Sequence, residues 1–210
     1  MDYLQQLTKR YPQLESIETD INKAFFIIAE SFAKGGKLLI AGNGGSAADA
    51  EHIVGEMMKN FIKKRKLDDE FISNIKEVDA EIARYLISSL QPGLPAIDLS
   101  SQTSLITASV NDIDVNVVFA QQLYGYGKEG DVFLGISTSG NSKNVLYAAA
   151  AAKAKKLRVI ALSGGSGGAL RRFADVSIIA PETETYKIQE LHLPIYHCLC
   201  LMIEERFFNA

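Results

Sequence analysis

Two spacings of apolar residues alternate along this chain. Ile21, Phe25, Ile28, Ala29 and Phe32 recur at the helical period. They predict a helix from residue 2 to about residue 33, closed by Gly35-Gly36. Short, continuously apolar runs follow at residues 37–41, 96–99, 132–136, 159–162 and 176–179, and each reads as a buried strand. Helical patterns separate them at about residues 47–60, 102–109, 115–127, 143–156 and 168–174, and a last helix runs from about 186 to 207. Strands that are apolar throughout and alternate with helices predict an α/β fold, a doubly wound parallel sheet flanked by helices in a flavodoxin-like three-layer sandwich. Residues 1–210 are expected to form one domain, with a helical N-terminus.

Residues 61–92 break the rhythm. A basic run from Lys59 to Lys66 is followed by Asp68, Asp69 and Glu70, and reads as a solvated helix end. Phe71, Ile72, Ile75, Val78, Ile82, Leu86 and Leu90 then form an amphipathic pattern. The segment is expected to be a helical insertion closed by Gln91-Pro92-Gly93, serving either a subunit contact or an active-site cover. Pro194, inside the last helix, removes one backbone hydrogen bond and is expected to kink it.

Composition is that of an ordinary globular chain, 47% hydrophobic and 22% charged. A net charge of -3 gives no bulk attraction for nucleic acid. No apolar run is long enough to span a bilayer and no leader pattern opens the chain, so a cytoplasmic protein is expected. Cys198 and Cys200 would point about 200° apart on a helix and cannot pair, which reads as two buried thiols.

The most informative stretch is Gly135-Ile136-Ser137-Thr138-Ser139-Gly140-Asn141-Ser142. A strand that breaks into hydroxyls and glycine at the start of a helix suits an anion, met by hydroxyls, backbone N–H groups and the helix dipole. The plainer alternative is a Ser/Gly turn with Ser142 as the N-cap. Gly42-Asn43-Gly44-Gly45-Ser46-Ala47, after the first strand, fits G-x-G-x-x-A, but the acidic residue of a dinucleotide site is missing downstream. In a parallel sheet both loops reach the carboxyl edge. Two such loops fit a small phosphorylated ligand, with Ser137, Thr138, Ser139 and Ser142 on the phosphate and Asn43 and Ser46 on ligand hydroxyls.

Taken in order, these loops resemble the sugar isomerase (SIS) domain over residues 21–205, the insertion apart. Residues 41–46, Asn111-Asp112, Glu129-Gly130-Asp131-Val132, residues 135–142, and Ile188-Gln189-Glu190-Leu191-His192 with His197 are similar to the phosphoheptose isomerase branch. That resemblance implies conversion of sedoheptulose 7-phosphate to D-glycero-D-manno-heptose 7-phosphate, a step toward bacterial heptose. It also implies a homotetramer with active sites at subunit interfaces. Some proteins of the branch are non-catalytic regulators, one of which binds the bacterial replication initiator, and a phosphosugar sensor is a third reading.

Aldose–ketose isomerisation needs a base over two adjacent carbons and an acid or polariser at their oxygens. His52 and Glu56 share a helix face at i and i+4. Gln189 and His197 lie about 80° apart on the last helix. By residue pattern alone the first pair is equally a surface pair, and His197 a satisfied core residue. Ile53, Val54, Met57 and Met58 predict an apolar setting for Glu56, which would raise its pKa. The resemblance implies Glu56 as the base and His197 as its partner. It places Gly44, Asn111, Asp112 and Gln189 against the sugar, and His52, Glu56, Gln189 and His197 around a zinc ion, one per subunit. Asp112 is otherwise a turn residue, and His192 reads as packing or interface. Asn60, where the branch has arginine, and Tyr186, where it has aspartate, depart from the pattern.

Overall fold

The computed structural model describes residues 2–208, so both ends of the expected 1–210 domain lie outside the described residues. The chain forms α1 (Tyr3–Arg10), α2 (Glu18–Ala33), β1 (Leu38–Ala41), α3 (Gly45–Met58), α4 (Asp69–Val78), α5 (Ala80–Ser89), β2 (Ala96–Asp98), α6 (Thr103–Asp112), α7 (Val118–Tyr126), β3 (Val132–Ile136), α8 (Lys143–Ala154), β4 (Arg158–Gly164), β5 (Val176–Ala180) and α9 (Thr185–Phe207). The five strands form one sheet in the order β2-β1-β3-β4-β5, and every pairing is parallel.

Side-chain alternation makes this a three-layer structure. Leu38, Ile40, Leu134, Ile136, Ile160 and Leu162 face one core, completed by α1, α2, α3 and α9. Leu39, Ala41, Phe133, Val159 and Ala161 face the other, completed by α7 and α8. With both faces covered, no polar alternation survives within β1 or β3, which is why the strands read as continuous apolar runs. The winding reverses between β1 and β3. Their loops therefore flank the crevice at the carboxyl edge where such folds bind ligands.

Several expected boundaries are corrected. The N-terminal helix is not continuous: Tyr11-Pro12 interrupts it, and residues Pro12–Ile17 form a 3₁₀ turn before α2. Pro12 has no N–H to continue α1 and disfavours helical backbone in the residue before it. The patterns at 115–127 and 168–174 hold 3₁₀ turns at Val115–Val117 and Ala169–Arg172, with α7 completing only the former. The last helix keeps its expected extent, as α9 with Pro194 inside it.

The basic run is no helix end. The helix α3 stops at Met58, and residues 59–68 are irregular. Arg65 is only 3% exposed and pairs with Glu204, 1% exposed. The Glu204 carboxylate accepts the backbone N–H groups of Phe61 (2.7 Å), Ile62 (2.9 Å) and Lys63 (3.1 Å). Arg65 donates to the carbonyls of Met57 (2.7 Å), Glu56 (3.0 Å) and Pro92 (3.2 Å), and its guanidinium lies over Phe208. One buried ion pair thus ties the end of α3 and both ends of the insertion to α9. Within the insertion, Asp68 caps α4 and Asp79 caps α5. Phe71, Val78, Ile82, Tyr85 and Leu90 stay exposed.

Candidate active site

The loop after β3 is held from behind by the loop after β4. Gly140 has φ +64°, and a Cβ there would lie 2.0 Å from the Gly167 carbonyl oxygen. Only glycine meets both conditions. Leu170 N–H donates to the Gly140 carbonyl (2.9 Å), and Ala169 N–H to Asn141 Oδ1 (3.0 Å). The supporting residues were announced by the run Ser163-Gly164-Gly165-Ser166-Gly167-Gly168, which the sequence reading left unused.

Ser142 precedes α8 but makes no side-chain cap bond. Its Oγ lies 3.1 Å from Ser137 Oγ, so the two hydroxyls pair with each other. This overturns the capping alternative. Ser139 Oγ accepts from Asn141 N–H (3.2 Å). These hydroxyls lie beside the first turn of α8, where a helix N-terminus favours negative charge, and the loop itself holds no Lys or Arg.

The first loop sits beside the second, as expected. The amides of Asn43 and Asn144 bond reciprocally at 3.0 and 2.9 Å, joining the β1 loop to α8. Ser100, missed by sequence reasoning, bonds through Oγ to the N–H and carbonyl of Gly42. A cavity of about 300 Å³ adjoins Asn43, Gly44, Ser100 and Asn144, with Val118 and Phe119 on its apolar side. Ser46 is buried at the start of α3. Asn111 and Asp112 end α6 on the surface and bond to one another (2.7 Å). No hydrogen bond joins them to either loop among the described residues.

The remaining candidates gather where α3 packs on α9. His52 Nε2 lies 3.4 Å from Glu56 Oε1, and Lys59 Nζ lies 3.0 Å from Glu56 Oε2. The rings of His52 and His197 meet edge to face, with centroids 4.9 Å apart. Phe61 covers His197 at 5.3 Å. Gln189 enters from one end: a Cβ on Gly45 would stand 2.5 Å from its Nε2. The expected apolar setting of Glu56 is not found, because a histidine and a lysine flank its carboxylate. Asn60 N–H donates to Gln91 Oε1, so the position where the branch has arginine holds a loop contact here. Tyr186 is exposed and offers no carboxylate.

Burial, and then the neighbouring His52, lower the His197 pKa against the opposing pull of Glu56. Its imidazole is therefore neutral near pH 7, and its Nε2 is buried without a hydrogen-bond partner. A cavity of about 450 Å³ between α1 and α9 is lined by Tyr3, Arg10, Phe61 and His197. His192 is fully buried, with Nε2 3.3 Å from the Ser163 carbonyl, and is a packing residue here.

Among the described residues, no group of three or more His, Cys, Asp or Glu side chains is arranged to hold a metal ion. Tyr196 holds His52 Nδ1 at 2.9 Å, and Lys59 holds Glu56. The zinc expected around His52, Glu56, Gln189 and His197 therefore rests on the resemblance, and no chemistry is assigned to it here.

Comparison with known proteins places the geometry. The SIS domain profile matches residues 2–87 and 80–164. The chain belongs to the SIS domain family. Phosphoheptose isomerase 2 of Campylobacter jejuni is 40% identical over 195 residues, covering 93% of this chain and 84% of the relative. Phosphoheptose isomerase of Helicobacter hepaticus is 42% identical over 184 residues, covering 88% and 81%. The structure of phosphoheptose isomerase GmhA from Neisseria gonorrhoeae aligns with a TM-score of 0.75 at 31% identity, over 95% of this chain and 94% of that one. Within the family, the chain falls in the phosphoheptose isomerase branch.

Proposed function

We propose that this protein is an aldose–ketose isomerase of phosphorylated sugars, converting sedoheptulose 7-phosphate to D-glycero-D-manno-heptose 7-phosphate. The observation that carries this is the meeting of Glu56 and His197 about His52 on the α3–α9 seam, with Gln189 leading from the seam to the β1 loop. The phosphate would rest on Ser137, Thr138, Ser139 and Ser142. Glu56 would remove the proton from C1 of the open-chain ketose and return it to C2. His197, neutral, would take the O1 proton and give it to O2, so that an enediol forms and collapses with no net gain or loss of protons. No step is routed through a metal. A homotetramer with shared active sites belongs to the same reading, and sedimentation of the purified chain tests it.

Relatives at about 40% identity named phosphoheptose isomerase support this reading over the non-catalytic regulator. The test is proton NMR of sedoheptulose 7-phosphate in D₂O with the wild type and Glu56→Gln. Deuterium should enter C1 or C2 with the wild type, and about 10²–10⁴-fold more slowly with the variant. Binding without exchange by the wild type would replace the isomerase with a sensor or regulator.

A further inference from the structure

The loop after β1 carries Asn43, whose amide is expected to meet a sugar hydroxyl, and that loop is gripped from two sides. From the β2 side, Ser100 Oγ accepts the Gly42 N–H (3.1 Å) and donates to the Gly42 carbonyl (3.0 Å). Ser100 is itself held, because its N–H donates to Oδ1 of the buried Asp98 at 2.7 Å. The backbone beside Asn43 is thereby set, and only its side-chain torsions stay open. From the α8 side, Asn144 closes them. Asn43 Nδ2 donates to Asn144 Oδ1 (3.0 Å), and Asn144 Nδ2 donates to Asn43 Oδ1 (2.9 Å).

A reciprocal amide pair is equally satisfied with both amides turned over, unless something outside the pair chooses. Here the main chain chooses. Val145 N–H lies in the first turn of α8, where no helix carbonyl is available to accept it. It donates to Asn144 Oδ1 at 3.0 Å. Asn144 cannot turn over without stranding that N–H, and with two bonds accepted its oxygen is full. Asn43 must then offer Nδ2 to the oxygen of Asn144 and its own oxygen to Asn144 Nδ2. Among the described residues, one N–H and one lone pair of the Asn43 amide meet no other group. A hydroxyl donates one bond and accepts another, and the cavity of about 300 Å³ is lined by both asparagines and Ser100.

We infer that Asn144 is a positioning residue: pinned by the Val145 N–H, it sets the orientation in which the Asn43 amide reads a hydroxyl of the sugar phosphate. The inference rests on the proposed ligand but not on turnover. A double-mutant cycle tests it, by calorimetric titration of the full chain with sedoheptulose 7-phosphate. Asn43 is exposed and Asn144 half-buried, so neither truncation empties a core. Asn43→Ala should weaken binding about tenfold and Asn144→Ala about fivefold, with the double variant within about twofold of Asn43→Ala. Inorganic phosphate offers no sugar hydroxyl, and should bind Asn144→Ala within about twofold of the wild type. In turnover the loss should fall on KM, with kcat within about twofold. Losses that multiply to about fiftyfold in the double variant would show two independent contacts and overturn the inference. So would Asn144→Ala binding like the wild type, an equal loss of inorganic phosphate, or a loss confined to kcat. Coupled losses without deuterium exchange by the wild type would sink the isomerase reading alone. A wild type that binds no sedoheptulose 7-phosphate would overturn both.

Discussion

In the loop at residues 135–142, neighbours in sequence are neighbours in space. Ser137 reaches Ser142, Asn141 reaches Ser139, and the backbone folds back on itself through Gly140 N–H and the Ser137 carbonyl. In the α3–α9 seam the partners come from opposite ends of the chain: His52 and Tyr196 are 144 positions apart. The loop is shaped by backbone and glycine, the seam by helix packing. An anion cradle can therefore be carried by a short motif, whereas an acid–base pair exists only once two helices are pressed together. Beside the apolar packing of α3 on α9, the Arg65–Glu204 pair holds them there, joining the carbonyl of Glu56 itself to α9, the helix that carries His197.

The sharpest way to break that comparison is to remove half of the pair. Arg65→Met leaves a buried carboxylate facing backbone amides alone, and should cost about 3–5 kcal/mol in urea unfolding. Replacing both partners by apolar residues should recover much of this loss, because no charge is then stranded. Acid offers an independent check. Burial works to raise the Glu204 pKa, but the N–H groups of residues 61–63 and Arg65 outweigh it and hold the carboxyl below its ordinary value of 4.5. The native state thus binds fewer protons there than the unfolded chain. The contribution is present above 4.5 and lost as pH falls through the lowered value. In Glu204→Gln this acid-dependent loss should disappear. An unchanged acid limb would show that the pair does not hold the seam.

Gly140→Ala tests the loop instead. The substitution asks for left-handed backbone and for space already taken by the Gly167 carbonyl. Strain of about 1–3 kcal/mol is expected, confined to the β3 and β4 loops. Phosphosugar binding should weaken by about tenfold or more, while the acid-dependent loss set by Glu204 stays as in the wild type. A change in both would show that loop and seam are coupled.

The two regions also differed in how far they could be read. The strands were legible because a parallel sheet buried on both faces leaves continuous apolar runs, as at residues 132–136. The hydroxyl-rich loop at residues 135–142 was legible as a loop between β3 and α8 because its Ser, Thr and Gly residues are contiguous. Arg65 was misread because a charge beside Lys63, Lys64 and Lys66 looks solvated, and its partner Glu204 is 139 positions away. The setting of Glu56 was misread for a different reason: Ile53 and Met57 are buried, but its carboxylate lies against its near neighbours His52 and Lys59. Tyr196 belongs to no sequence motif, and only helix packing brings its hydroxyl to His52 Nδ1.

The smallest effect gives the cleanest separation. Ser142 stands where an N-cap would stand, and a capping serine replaced by alanine costs about 1 kcal/mol of stability. In this fold its hydroxyl turns to Ser137 and caps no α8 amide; the Val145 N–H is met by Asn144 Oδ1 instead. Ser142→Ala should therefore leave the urea midpoint almost unmoved, since Ser142 is only partly buried and no α8 amide loses a cap. It should raise KM for sedoheptulose 7-phosphate about tenfold, by the loss of one hydrogen bond to a charged ligand. The opposite pattern, lower stability with KM unchanged, would return Ser142 to the role of helix cap. The anion would then rest on Ser137, Thr138 and Ser139 alone, and the loop would be less a dedicated cradle than a turn that happens to face the crevice.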